Sequence, residues 1–350
     1  IGRERELGQL KTALERLNAG KGGIVTVSGA AGTGKSRLLD EFKSWLRPGK
    51  IQFYEGHAFS YSAGTPYFPV CDLLKKFCQI SYQDSQESMC EKLENGTAAL
   101  FGEGSSMMPY FTAMYGIDHD DYPHDNPELA NIRLQRSLVT LLARISTIRP
   151  TVFLIEDLHW ADQASVDLIR FAISEMRSPA LLVCSYRNNF NLVGEAQKLS
   201  IGAAYQNIEL DELSVTEAAE MASFLFGKKP VPAAYVEFVT NEAECNPFYI
   251  EEVVNSSIEA GLILEMEDVW QLGKSLDDFK IPPTIYGVIN ERVQRLNQVT
   301  REVMQEAAVI GVASDKWGET PLAIVVAAPG TSPTPESLKA YCKENLAGYK

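Results

Sequence analysis

The sequence predicts an α/β fold built on a doubly wound parallel sheet. Three observations predict it. Short apolar runs of the kind that form buried parallel strands recur up to Leu210, separated by stretches of helical periodicity. A glycine-rich loop stands between the first such run and the helix after it. From Ser214 onward the strand signal stops and helical patterns take over, which marks a second region.

The elements follow in order. Positions 2–17 read as a loop entering an amphipathic helix, with Leu7, Leu10, Leu14 and Leu17 at helical spacing. The first strand is 24–27 and the next helix 36–46, closed by Pro48-Gly49. A strand at 51–54 and a helix at 70–78 come next, and 79–130 reads as a Gly/Pro-punctuated insertion over the sheet. A long helix at 129–148, strands at 151–155 and 180–186 with a helix at 166–176 between them, and a strand at 207–210 complete the α/β domain, 1–212. Helices at 216–227, 233–242 and 247–260, with a hairpin of 262–267 and 269–272, form a helical lid over 213–272. Helices at 285–296 and 300–310 read as a partial winged helix, 273–311, and a small strand–helix tail occupies 312–350.

Composition narrows the function. Hydrophobic residues make up 45% and charged residues 22%, an ordinary globular balance, and the net charge of −14 argues against gripping a polyanion with the whole surface. No direct nucleic-acid binding is therefore expected. The cysteines, Cys71, Cys78, Cys90, Cys184, Cys245 and Cys342, form no C-x-x-C, and the histidines form no H-E-x-x-H. That pattern predicts buried, reduced thiols rather than zinc or a disulfide framework, with Cys71 and Cys78 on one helix face. No apolar stretch of about 18 residues is present, so no membrane span is expected. With Ile1 first and no basic leader, the sequence reads as a cytoplasmic segment of a longer protein.

The chemistry is concentrated at two strand ends. Gly29-Ala30-Ala31-Gly32-Thr33-Gly34-Lys35-Ser36 fits G-x-x-x-x-G-K-[ST] between a strand and a helix. Its glycines let backbone amides curl around phosphates. Lys35, expected on an exposed loop, reaches the β- and γ-phosphate oxygens, and the Ser36 hydroxyl holds Mg²⁺. Arg37 follows in the first helical turn and joins the nucleotide-binding set. The loop makes the fold a P-loop NTPase and ATP or ADP with Mg²⁺ its expected ligands. Phe153-Leu154-Ile155 then runs into Glu156-Asp157. One acid should act on Mg²⁺, partly through water, and the other on the attacking water. By position Glu156 takes the metal role and Asp157 the water role, with the reverse left open. Arg187, at the end of the fourth strand, is placed to read the γ-phosphate.

Together these residues resemble a family. Gly2-Arg3-Glu4, the phosphate loop, Ile155-Glu156-Asp157-Leu158-His159-Trp160-Ala161-Asp162, Ser185-Tyr186-Arg187 and Asn246-Pro247-Phe248 look like the STAND-class signalling ATPases of the AAA-like superfamily. The likeness is to the module in bacterial adenylate/guanylate cyclase–ATPase–tetratricopeptide proteins and in LuxR-type regulators. The resemblance implies that Gly2, Arg3 and Glu4 line the adenine pocket, that Arg187 is a sensor, and that Pro247 packs on the nucleotide. It also implies a slowly hydrolysing switch, with cyclase, helical-repeat or DNA-binding domains as partners and nucleotide-dependent self-association. The family usually has Gly two residues before that proline, where this sequence has Cys245. The alternatives are an AAA+ remodelling ATPase and, more distantly, a small-molecule kinase.

The tail, 312–350, resembles the C-terminal subdomain of acyl-CoA synthetases, in which a strand likewise precedes Trp-Gly-Glu, here Trp317-Gly318-Glu319. Glu306–Gly311 suits both families, so a junction is expected near 311, by recombination or by misassembly of the sequence. By that resemblance the ligase lysine would lie beyond Lys350, and the alternative is a chimeric fragment without ligase activity.

Overall fold

The computed structural model describes residues 1–276, apart from 47, 48, 82, 103–105, 125, 176, 177 and 228, together with the backbone of 309–314 and 318–323. In chain order the elements are α1 (Glu4–Asn18), β1 (Gly23–Gly29), α2 (Lys35–Ser44), β2 (Gln52–His57), α3 (Phe68–Cys78), α4 (Gln86–Phe101), α5 (Met108–Met114) and α6 (Pro127–Ile148). There follow β3 (Thr151–Glu156), α7 (Gln163–Glu175), β4 (Ala180–Tyr186), α8 (Glu195–Ile201), β5 (Tyr205–Leu210), α9 (Val215–Leu225), α10 (Ala233–Glu242) and α11 (Pro247–Glu259). Four short strands end the series: β6 (Ile263–Glu265), β7 (Trp270–Leu272), β8 (Val309–Ser314) and β9 (Gly318–Ala323). The chain divides into two units, 1–228 with 239–251, and 229–238 with 252–350.

The first unit holds a five-stranded sheet in the order β2-β3-β4-β1-β5, parallel throughout. Side chains alternate between its faces. Val25, Val27, Val152, Leu154 and Val183 pack against Leu10, Leu17, Leu38 and Phe42 of α1 and α2. Ile24, Phe153, Ile155, Leu182 and Cys184 pack against residues of α3, α5, α6 and α7. Both faces are covered, which is why the strands read as continuous apolar runs. Leu93 of α4 and Tyr110, Phe111 and Met114 of α5 are buried in that second layer, so the 79–130 segment supplies part of the core. β1 lies between β4 and β5, so its carboxyl end, leading into Gly29, marks the switch point where ligands bind in such sheets.

Local chemistry sets the helix starts. Asn126 accepts from the Leu129 amide with Pro127 first in α6, and Ser85 accepts from the Ser88 amide at α4. Ser214 and Glu217 form a reciprocal capping box on α9. α8, missing from the sequence reading, has no buried residue to give it a periodic signal. Cys71, Cys78 and Cys184 are buried free thiols, whereas Cys90 and Cys245, expected to be buried, are half-buried. Among the described residues no helix is long and apolar enough to cross a membrane.

In the second unit β6 and β7 pair antiparallel, Ile263 opposite Leu272, and Lys229 bonds Glu265 at 2.6 Å. β8 and β9 also pair antiparallel, Val309 opposite Ala323. Val309 and Ile310, the last two positions of the helix expected over 300–310, thus begin a strand instead, while 300–308 lie outside the described residues; the strand of the tail that is described is Gly318–Ala323. Val309 and Ile310 are β-branched and pair across to Ala323 and Leu322, which suits strand over helix. The helix expected over 285–296 lies outside the described residues.

Candidate functional site

The loop between β1 and α2 is the centre of the site. Gly34 adopts φ +92° immediately before α2, and no side chain caps that helix, so its first-turn amides face outward for an anion. Lys35 is buried, not exposed as the sequence suggested. Its ammonium donates to the carbonyl oxygens of Gly29 at 3.0 Å and Ala30 at 2.8 Å. Burial lowers the Lys35 pKa, Asp157 opposes that shift, and Arg187 adds to it. Ser36 and Arg37 stand exposed in the first turn.

Asp157 and Arg187 follow the ends of β3 and β4, and β4 pairs with β1, which leads into the Lys35 loop, so both charges stand at the same sheet edge as Lys35 and act on it electrostatically. Asp157 sits in the left-handed region at φ +58°, and its amide donates to Ser185 Oγ at 3.0 Å. Arg187 lies 5.3 Å over the Trp160 ring. His159 has no hydrogen bond at either ring nitrogen, and burial lowers its pKa.

The two consecutive acids part company. Glu156 is buried, and its carboxylate accepts from Lys43 of α2 at 2.8 Å, not from Ser36. Lys43 also pairs with Glu55 at 3.2 Å, while His57, the register partner of Glu156 on β2, bonds Asp72. Burial works against the Lys43 ammonium, but Glu156 and Glu55 outweigh it and raise its pKa. Burial raises the Glu156 pKa despite Lys43, because Lys43 is shared and Glu55 repels. Glu55, Glu156 and His57 bring three ligand atoms within 4.8 Å of one another, with the Lys43 ammonium bonded to both carboxylates.

Of the remaining predicted residues, Arg3 and the segment around Pro247 contact the loop. Arg3 donates to the Thr33 carbonyl at 3.1 Å and the Asp211 carbonyl at 2.6 Å, so its guanidinium is committed to backbone. Gly2 has φ +69°, with a Cβ there only 2.7 Å from Glu217, and Glu4 is exposed at the start of α1. Pro247 is half-buried at the start of α11, and its neighbours Asn246 and Phe248 bond the loop carbonyls of Ala31 at 3.0 Å and Gly32 at 3.2 Å. Cys245 has φ +60°, the left-handed turn for which the family resemblance supplies glycine. Sequence reasoning missed Lys43, Glu55, His57 and the loop contact of Asn246. Only Asn246 had a local signal, a capping residue directly before a proline.

The donor set suits nucleotide and Mg²⁺. The hydroxyl of Ser36 and the carboxylate of Asp157 are hard oxygen ligands, and the uncapped helix start suits phosphate.

The family model for the AAA ATPase domain matches residues 1–184, more than half of the chain. The chain belongs to the AAA ATPase domain family. A second model, the AMP-binding enzyme C-terminal domain, matches residues 299–350. An uncharacterized protein of Rhizobium meliloti (strain 1021) is 23% identical over 320 residues, 89% of this AAA ATPase chain, which spans only 29% of that relative. A 2-succinylbenzoate–CoA ligase of Geobacillus kaustophilus is 45% identical over 47 residues, 13% of this chain and 10% of the ligase. Among solved structures, a STAND protein with a tetratricopeptide repeat sensor from Pyrococcus horikoshii is 15% identical, with a TM-score of 0.42 over 87% of this chain and 34% of that one. Drosophila ORC bound to DNA is 13% identical, with a TM-score of 0.40 over 74% of this chain and 56% of that one.

Proposed function

We propose that the chain binds ATP with Mg²⁺ on the phosphate loop and hydrolyses it slowly, as the regulatory switch of a bacterial signalling protein. The observation that carries this reading is the electrostatic action of Asp157 and Arg187 on Lys35, at one sheet edge beside the uncapped start of α2. Lys35 would exchange its two loop carbonyls for β- and γ-phosphate oxygens. Arg187 supplies a second cation on the γ-phosphate side, which distinguishes ATP from ADP. Ser36 and Asp157 would hold Mg²⁺, which neutralises charge on the phosphate oxygens when bound. Asp157 also orients the attacking water and accepts its proton. Glu156 joins the metal only by giving up Lys43, so the sequence-based division of roles shifts toward Asp157.

A switch needs a differential. Moving a population from 1:99 to 99:1 takes about 5.5 kcal/mol of preference for one state. Arg187 and the start of α11 are the groups that would differ between ATP and ADP. Output would lie in further domains: a cyclase, helical repeats or a DNA-binding domain, in the cytoplasm. Steady-state hydrolysis tests the reading. Turnover on the order of 10⁻³ s⁻¹ or slower fits a switch, whereas turnover well above roughly 1 s⁻¹ fits a remodelling motor.

The AMP-binding match favours a second reading for residues 299–350, a ligase-derived piece that performs no ligase chemistry alone. Incubation with ATP, coenzyme A and a carboxylic acid should then release no AMP; AMP formation would contradict it.

A further inference from the structure

Asn246 makes two kinds of bond with one side chain. Its Oδ1 accepts from the amides of Phe248 at 3.1 Å and Tyr249 at 3.4 Å, which caps the first turn of α11. Its Nδ2 donates to the carbonyl of Ala31 at 3.0 Å, at the tip of the phosphate loop. The Phe248 amide is shared with the carbonyl of Gly32 at 3.2 Å. Asn246 is only 7% exposed, so neither bond competes freely with water.

We infer that Asn246 is a positioning residue that aims the phosphate-loop amides and thereby sets how long the loop holds its nucleotide. The inference rests on the nucleotide-binding reading above. A trans peptide places its C=O and the following N–H on opposite sides. Holding the Ala31 carbonyl outward therefore turns the Gly32 amide into the loop, and holding the Gly32 carbonyl does the same for the Thr33 amide. Those amides belong to the phosphate cradle. Gly32 permits the arrangement: at φ +81°, a Cβ there would lie 2.5 Å from Asn246 Oδ1 and 2.9 Å from Phe248 Cβ. Capping alone would accept Ser or Asp equally. Asn246 does both at once through separate atoms, Oδ1 accepting from the helix start and Nδ2 donating to the Ala31 carbonyl, whereas a Ser hydroxyl has a single short-reaching oxygen for both and an ionised Asp has no donor.

The two bonds separate by substitution in the full chain. Asn246→Asp keeps the capping oxygen and loses the donor, and Asn246→Ser keeps a cap too short to reach Ala31. The measurement is release of mant-ADP chased by unlabelled ADP, beside the Tm of the nucleotide-free protein. Both variants should keep Tm within a few degrees and release mant-ADP roughly tenfold faster than wild type. Unchanged release in both overturns the inference, leaving Asn246 a cap alone. Faster release in Asn246→Asp only also overturns it, because added negative charge then explains the effect. A wild-type chain that binds no mant-ADP overturns the nucleotide reading and this inference together, whereas normal wild-type binding with unaltered variants overturns this inference alone.

Discussion

The Lys43 ammonium lies 2.8 Å from a carboxylate oxygen of Glu156. The contact ties α2, the helix that begins at the phosphate loop, to the end of the strand that delivers Asp157. A carboxylate this buried is costly without a cation, so Lys43 opposes the rise that burial imposes on the Glu156 pKa and holds its carboxylate in place.

Lys43→Met should destabilise the chain by about 3 kcal/mol, because it leaves Glu156 buried and unpaired. The pH dependence has a definite sign. Burial already raises the Glu156 pKa, and loss of Lys43 raises it further. A raised folded-state pKa gives stability that is full below the unfolded value and lost as pH rises through the folded one. The variant should therefore regain stability relative to wild type between about pH 8 and pH 5. Urea unfolding at both values checks this; equal stability at pH 8 would contradict it.

Cys245→Gly should stabilise the chain. Glu244 and Cys245 stand consecutively at φ +48° and +60°, a region that costs a side-chain-bearing residue roughly 1 kcal/mol. Glycine relieves that cost while the Cys245 carbonyl still accepts from Leu213. A Tm rise of about 2–4 °C is expected in a thermal melt. A fall would mean that the thiol contributes more by packing than the turn loses by strain.

Lys35→Ala should abolish nucleotide retention and leave the sheet folded. Because Lys35 also holds the Gly29 and Ala30 carbonyls, a small loss of Tm should accompany it. Calorimetric titration with ADP beside circular dichroism separates the two effects. Normal ADP binding would move the site elsewhere.

Asp157→Asn should bind nucleotide and hydrolyse it at least about 100-fold more slowly. Unchanged turnover would move the water role to Glu156 or elsewhere. The comparison variant Glu156→Gln should lose stability before it loses activity, since its partner is Lys43.

The sheet was legible because both its faces are covered. β4 falls on the bounds read from its apolar run, and α10 likewise. β5 was read two residues short because Tyr205 and Gln206 are only half-buried on an edge strand. The phosphate loop and the Glu156-Asp157 step were legible because their spacing is local. The divergence of those two acids was not, since the Lys43 partner is 113 residues away in sequence. The positive φ of Cys245 was hinted at by the expected glycine, but a cysteine there carries no signal of its own. Glu306–Gly311 suited both a winged helix and a ligase strand, and the β8–β9 pairing decides for strand at its end.

The most direct test of the account is the nucleotide that co-purifies with the full chain, measured by chromatography of the denatured protein. The account predicts near-stoichiometric ADP in wild type and none in Lys35→Ala. A wild-type protein free of nucleotide, and indistinguishable from Lys35→Ala, would contradict it.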